Sequence, residues 1–165
     1  MIPGVDRRSI EPHGDARGSL RELWRASVQP FEPRQAIVSA SAAGTLRGMH
    51  VHLRQADLLY VVNGRLFIAL LDLRSDTGPK DELWLDPNES LIIPPGVAHG
   101  YAALEPAVVL YLLDHESDGS DELGFAWSDP EAAIGWPVRD PILSERDRTA
   151  RSMRAARALV RDRLT

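Results

Sequence analysis

Residues 46–57, LRGMHVHLRQAD, place two histidines one residue apart and an aspartate five positions beyond the second. On an extended strand alternate side chains share a face, so His50, His52 and Arg54 point one way while Arg47, Met49, Val51 and Leu53 point the other. Two imidazoles on one face can abstract a proton, hold a metal ion, or form the polar side of an ordinary strand. A downstream histidine, His99 in PPGVAHGY, extends the group to three imidazoles and one carboxylate. Since the chain has no cysteine, a metal would have to be bound by nitrogen and oxygen donors, with His50, His52, Asp57 and His99 as the candidate set for a divalent ion.

These residues need a rigid frame, and the sequence around them is rich in strand signals. Between Gln35 and Asp114 the segments QAIVSASA, LLYVVNG, RLFIALLDL, ELWLDPN, SLIIPPG and VVLYLL are short and β-prone, with Asn63-Gly64, Asp86-Pro87-Asn88 and Pro94-Pro95-Gly96 between them. Asn-Gly between the apolar runs of VVNGRLFIALL predicts a hairpin. Many short strands without intervening helices imply an all-β sandwich, barrel or jelly roll. Residues 1–165 are expected to form a single domain, with a strand-rich core at about 17–114 and a helical tail at about 144–165. The tail, SERDRTARSMRAARALVRDRL, carries Met153, Ala156, Leu159 and Val160 at helical spacing and reads as one helix. ARGSLRELWRAS fits a strand or a short helix, and the acidic stretch DHESDGSDE reads as an exposed loop.

Composition narrows the function classes. The net charge of −5 argues against nucleic acid as a partner, because neutralising phosphates needs a basic surface. The seven arginines from Ser144 onward read as a solvated helical face, and the four tryptophans lack the interleaved basic residues of a base-stacking platform. The longest apolar run, LFIALL, is too short to span a bilayer, and the N-terminus lacks the apolar region of a signal peptide. With no cysteine, these features lead us to expect a cytoplasmic protein.

Two resemblances add to this reading. The spacing Gly44-x5-His50-x-His52-x4-Asp57-x6-Gly64, with PPGVAHGY downstream, resembles the two metal-binding motifs of the cupin superfamily, with Asp where Glu is usual. DARGSLREL, GTLRGMH, LLDLR, IIPPGVAHGYAAL, VVLYLL, WSDPEAAIGWP and PILSERD, in that order, resemble the dTDP-4-dehydrorhamnose 3,5-epimerases, a family of cupins, over about residues 15–147. The resemblance implies a cupin jelly-roll barrel (a double-stranded β-helix) with a C-terminal α-helix, a homodimer whose N-terminal strands cross to the partner, and no cofactor. It further implies a sugar-nucleotide substrate, with His50 as base, Asp147 as its partner and Tyr111 as acid. Arg17, Glu22, Gln35, Arg47, His99, Glu122 and Arg146 match positions that line the substrate cavity. The pattern departs from the family at Asp57, where a lysine is usual, at Ser117 for a tyrosine, at Leu20 for an aromatic and at Ile37 for an asparagine. Three readings follow: epimerisation of a related 4-keto sugar, a metal centre that includes Asp57 and His52, or a non-catalytic sugar-nucleotide-binding protein. Each site residue also has a structural reading: Asp147 as a first-turn carboxylate of a helix capped by Ser144, Tyr111 as core, His99 as a hydrogen-bonded barrel histidine.

Overall fold

A computed structural model describes residues 2–29 and 31–164. The described residues form β1 (Asp6–Ser9), β2 (His13–Asp15), β3 (Gly18–Leu20), β4 (Gln35–Ser41), β5 (Thr45–His52), β6 (Asp57–Asn63), β7 (Leu66–Asp72), β8 (Lys80–Leu85), β9 (Glu89–Ile93), β10 (Val97–Ala103), β11 (Ala107–Leu113), β12 (Glu122–Gly124), α1 (Glu145–Arg148) and α2 (Met153–Leu164). Two antiparallel five-stranded sheets, ordered β1-β9-β6-β11-β4 and β12-β5-β10-β7-β8, face each other in the jelly roll expected of a cupin, and β2 pairs with β3 alone. Strands therefore extend beyond residues 17–114 at both ends.

The sheets enclose Leu59, Val61, Leu66, Ile68, Leu70, Leu91, Ile93 and Val109, all essentially inaccessible. A second apolar layer lies outside the second sheet, where Met49, Val51, Ala69, Leu71 and Ala98 meet Phe125 and the Met153, Ala156 and Val160 face of α2. This double coverage explains why every residue of β7 and β10 is buried and why β7 reads as a continuous apolar run. Burying a side chain such as Val160 contributes about 1.5–3 kcal/mol, which is what holds an otherwise arginine-rich helix to the barrel.

Two expectations are corrected. The Asn63-Gly64 turn is not a hairpin: β6 pairs with β9 and β11, β7 with β8 and β10, so the turn carries the chain from one sheet to the other. Gly64 adopts φ +79° with Pro106 and Ala107 packed against it, so tertiary packing overrides the local hairpin preference. The tail is two helices, interrupted between Arg148 and Met153. The interruption is stabilised by long-range bonds: Ala126 N–H donates to the Arg151 carbonyl at 2.8 Å, and Met153 N–H donates to the Asp129 carboxylate at 2.8 Å, which caps α2. ARGSLRELWRAS resolves into the short strand β3 followed by irregular chain, and residues 114–121 are a largely exposed loop.

Candidate functional site

A cavity of about 300 Å³ opens between the sheets at one end of the barrel, lined by residues that include Arg47, His50, His52, Asp57, His99, Tyr101, Tyr111 and Glu122. The arrangement depends on an irregularity in β5. Along β10 the pairing steps from His99 to Tyr101, two residues, while along β5 it steps from His50 to Arg47, three residues. The extra residue is a β-bulge, and it turns Arg47 onto the face that carries His50 and His52. Strict alternation had put Arg47 on the opposite face, and that expectation is corrected here. The bulge also needs glycine: a Cβ on Gly48, at φ +129°, would lie 2.6 Å from the Gly100 Cα.

His50 sits where the barrel meets α1. Its Nε2 is 2.7 Å from Asp147 Oδ1, and its Nδ1 is 3.6 Å from Glu122 Oε1. Asp147 is 5% exposed, and its backbone N–H donates to the Ser144 hydroxyl that caps α1, so capping and histidine pairing hold together in one residue. Burial opposes the Asp147 charge, but His50 and Ser144 outweigh it and hold the carboxyl below its ordinary value. Glu122 follows the same balance, its burial outweighed by Arg146 at 2.5 Å and by His50, which keep its carboxyl low. In the tautomer that carries its hydrogen on Nε2, His50 donates to Asp147 and leaves the Nδ1 lone pair free to accept a proton.

Tyr111 lines the same cavity from β11. Burial, reinforced by Tyr101 beside it, pushes its phenol well above the ordinary tyrosine value, so it stays protonated. Tyr101 lies 2.9 Å from the Ser41 hydroxyl, which accepts a bond from Arg47 Nε at 3.1 Å. This network ties the guanidinium to the tyrosine side of the cavity.

The innermost polar group is His52, Asp57 and His99, all buried. Asp57 Oδ2 is 3.2 Å from His99 Nε2 and 3.5 Å from His52 Nε2, and Gln55 Nε2 donates to Asp57 Oδ1 at 2.6 Å. Burial works against the Asp57 charge, yet both imidazoles and Gln55 keep its carboxyl below the usual range. Burial also disfavours charge on His99, where Asp57 prevails and raises it, whereas at His52 burial prevails and lowers it.

The anticipated residues thus divide. His50, Arg47, His99, Tyr111 and Glu122 line the cavity, and Arg146 joins it through Glu122. His50 is separated from the four-residue metal set, because Asp147 takes its Nε2; the other three stay together. Gln35 does not line the cavity itself; its side-chain oxygen accepts the N–H of Ser117, which does, at 2.7 Å. Arg17 and Glu22 lie outside their own chain's cavity, paired with Asp15 and Arg25, and Leu20 is exposed on the same hairpin. Tyr101, Ser41 and Gln55 were not anticipated. Tyr101 is two residues from His99 on one strand, a spacing that could have revealed it, whereas Ser41 arrives only through sheet packing.

Comparison with known proteins points to one family. The family model described as dTDP-4-dehydrorhamnose 3,5-epimerase matches residues 1–155. The chain is 36% identical over 167 residues to the dTDP-4-dehydrorhamnose 3,5-epimerase of Pseudomonas aeruginosa, covering 92% of each protein. It is 32% identical over 172 residues to the dTDP-4-dehydrorhamnose 3-epimerase of Streptomyces niveus, covering 94% of this chain and 83% of that protein. Among solved structures, the dTDP-4-dehydrorhamnose 3,5-epimerase of Bacillus anthracis with TDP and PPi bound superposes with a TM-score of 0.84 at 32% identity, covering 91% of this chain and 94% of that one.

Proposed function

Because the chain belongs to the dTDP-4-dehydrorhamnose 3,5-epimerase family, we propose that it is an isomerase that inverts carbon beside the C4 ketone of a dTDP-4-keto-6-deoxy sugar. The observation that carries the reading is the His50–Asp147 pair at 2.7 Å, opening into a cavity that also presents the protonated Tyr111.

The ketone acidifies the neighbouring C–H bond. His50 Nδ1 takes that proton, and the ionised Asp147 stabilises the imidazolium that forms. Charge moves onto the ketone oxygen as an enolate, where Arg47 and His52 are the available donors, both ring nitrogens of His99 being held by Asp57 and the Val97 carbonyl. Tyr111 then delivers a proton to the opposite face of the ring, and exchange with solvent returns both residues to their starting states. Arg47, with its planar donor fork, suits the diphosphate or the sugar. A single invertible carbon is as compatible with this machinery as two, and family members with each specificity align along most of the chain.

A second copy of the chain is part of the proposal. β4 is a sheet edge with Ile37 and Val38 exposed, Leu20 and Val28 add 66% and 62% exposed apolar surface nearby in sequence, and such patches favour association. Arg17 and Glu22, turned away from their own cavity, would then serve the partner's. Among the described residues no helix is long and apolar enough to cross a membrane, and the cysteine-free sequence suits a cytoplasmic setting.

The test is incubation with dTDP-4-keto-6-deoxyglucose in D2O. Deuterium is expected at C3, C5 or both, and none is expected with His50→Ala; no exchange by the wild-type protein rejects epimerisation. Light scattering measures the dimer separately, with a monomer as the adverse result.

A further inference from the structure

Each turnover leaves the abstracted proton on His50 Nδ1, and a sugar in the cavity covers that nitrogen from the barrel side. The proton needs another way out. A second cavity, of about 450 Å³, lies between the β5–β12 edge of the second sheet and the link from α1 to α2. Thr149, Ala150 and Arg151 line it, so the break in the tail shapes its wall. Among the described residues, His50 and Glu122 are the two that line both cavities. We propose that Glu122 takes the proton from His50 Nδ1 and passes it to water in the outer cavity, clearing the base while the sugar is still bound. This role rests on the epimerase reading.

The two carboxylates beside His50 are placed for different tasks. Asp147, 5% exposed, holds Nε2 at 2.7 Å, the nitrogen that does not receive the substrate's proton. Glu122, 20% exposed, faces Nδ1, the nitrogen that does. Their separation of 3.6 Å is too long for a hydrogen bond while Nδ1 is unprotonated. Once Nδ1 carries a proton, imidazolium and carboxylate attract, and a closure of about 0.8 Å gives the roughly 2.8 Å of a charge-assisted bond. Arg146, half exposed, holds the other oxygen, Oε2, at 2.5 Å, so Glu122 is anchored on its solvent side with Oε1 toward the ring. Strand register fixes this placement, with Glu122 of β12 opposite His52 of β5 and Gly124 opposite His50. A Cβ on Gly124 would lie 2.5 Å from the Met49 carbonyl oxygen, so β12 comes this close to β5 only with glycine there. The step balances without a further reactant. The C–H electron pair goes to the enolate, the proton passes from Nδ1 to Oε1 and on to water, and Tyr111 regains its own proton from solvent.

The experiment follows protium-bearing dTDP-4-keto-6-deoxyglucose in D2O at early conversion, scoring deuterium at C3 and C5 by NMR in product and in recovered substrate. Product gains deuterium from Tyr111, whereas recovered substrate gains it only when His50 exchanges its proton before returning one. Wild-type protein is expected to label both pools. Glu122→Gln should lower the ratio of label in recovered substrate to product formed by about 10²-fold, the lower end of what a positioned proton-transfer group contributes. Glu122→Asp should restore part of that ratio. Ala155→Trp, at an exposed position outside the catalytic groups, places an indole in the outer cavity and should lower the ratio in the same direction. The ratio is internal to each reaction, so a change in KM or in the folded fraction does not move it. If Glu122→Gln is too slow to label either pool, Ala155→Trp carries the comparison. A wild type that labels product but not recovered substrate overturns the exit path, as does a wild-type ratio in Glu122→Gln; a wild-type ratio in Ala155→Trp overturns the outer cavity as the outlet. Absence of label from both pools with the wild type instead rejects epimerisation itself, so the two failures are distinct.

Discussion

Replacing Asp147 with Asn changes one charge and almost no volume. The backbone N–H that donates to Ser144 is retained, so the cap of α1 survives, and an amide oxygen can still face His50 Nε2. What disappears is the negative charge that stabilises the imidazolium formed as His50 takes a proton. With N···O at 2.7 Å, the charge centres lie about 4 Å apart, a separation worth about 4 kcal/mol at an effective dielectric of about 20. Each 1.36 kcal/mol is tenfold in rate, so kcat/KM should fall about 10³-fold, within the range of about 10²–10⁴ that general-base catalysis supplies. The assay is loss of the C3 or C5 proton resonance of dTDP-4-keto-6-deoxyglucose in D2O, with thermal unfolding as a control for folding. A folded Asp147→Asn protein that keeps kcat/KM within tenfold of wild type, or that loses only substrate affinity, would refute the dyad.

Tyr111→Phe removes the proposed acid but leaves the base. It should retain some deuterium wash-in at the abstracted position while formation of the inverted sugar falls by about 10²–10⁴-fold, read by NMR of the product. Gly48→Ala should fail to fold or lose several kcal/mol in urea unfolding, because the added carbon meets the Gly100 backbone at 2.6 Å; wild-type stability would contradict the close strand approach. Leu70→Ala in the inter-sheet core should cost about 2–5 kcal/mol in the same measurement. Acid stability tests Asp72, where burial opposes the charge but Arg74 prevails and holds the carboxyl below the ordinary aspartate value of 3.8. Because the folded value is depressed, the pair's contribution is fully present above about pH 3.8 and is lost as pH falls through the folded value. Asp72→Asn should therefore narrow the stability gap to wild type on acidification, and a gap that stays constant through that window would refute the assignment.

Much of this protein follows from local sequence. Short β-prone runs punctuated by Asn-Gly and Pro-Pro-Gly fixed the strand class, because alternation, turn chemistry and length are properties of a few neighbouring residues. The motifs around His50, His99, Tyr111 and Asp147 were equally legible, since residue type and order survive as linear patterns. Four things needed the folded chain. The bulge that brings Arg47 beside His50 is a mismatch between two paired strands, invisible along either one. The Asn63-Gly64 turn joins two sheets because β6 and β7 find better partners elsewhere, and the tail breaks because Ala126 and Asp129 capture its backbone. Finally, alternation placed His50 and His52 together, yet only tertiary contacts gave them different company: His50 meets Asp147, 97 residues away, while His52 turns to Asp57 and His99. Sequence determines which groups are available and the faces they prefer; distance and burial, which decide how each is charged and what it can bind, exist only once the sheets have packed.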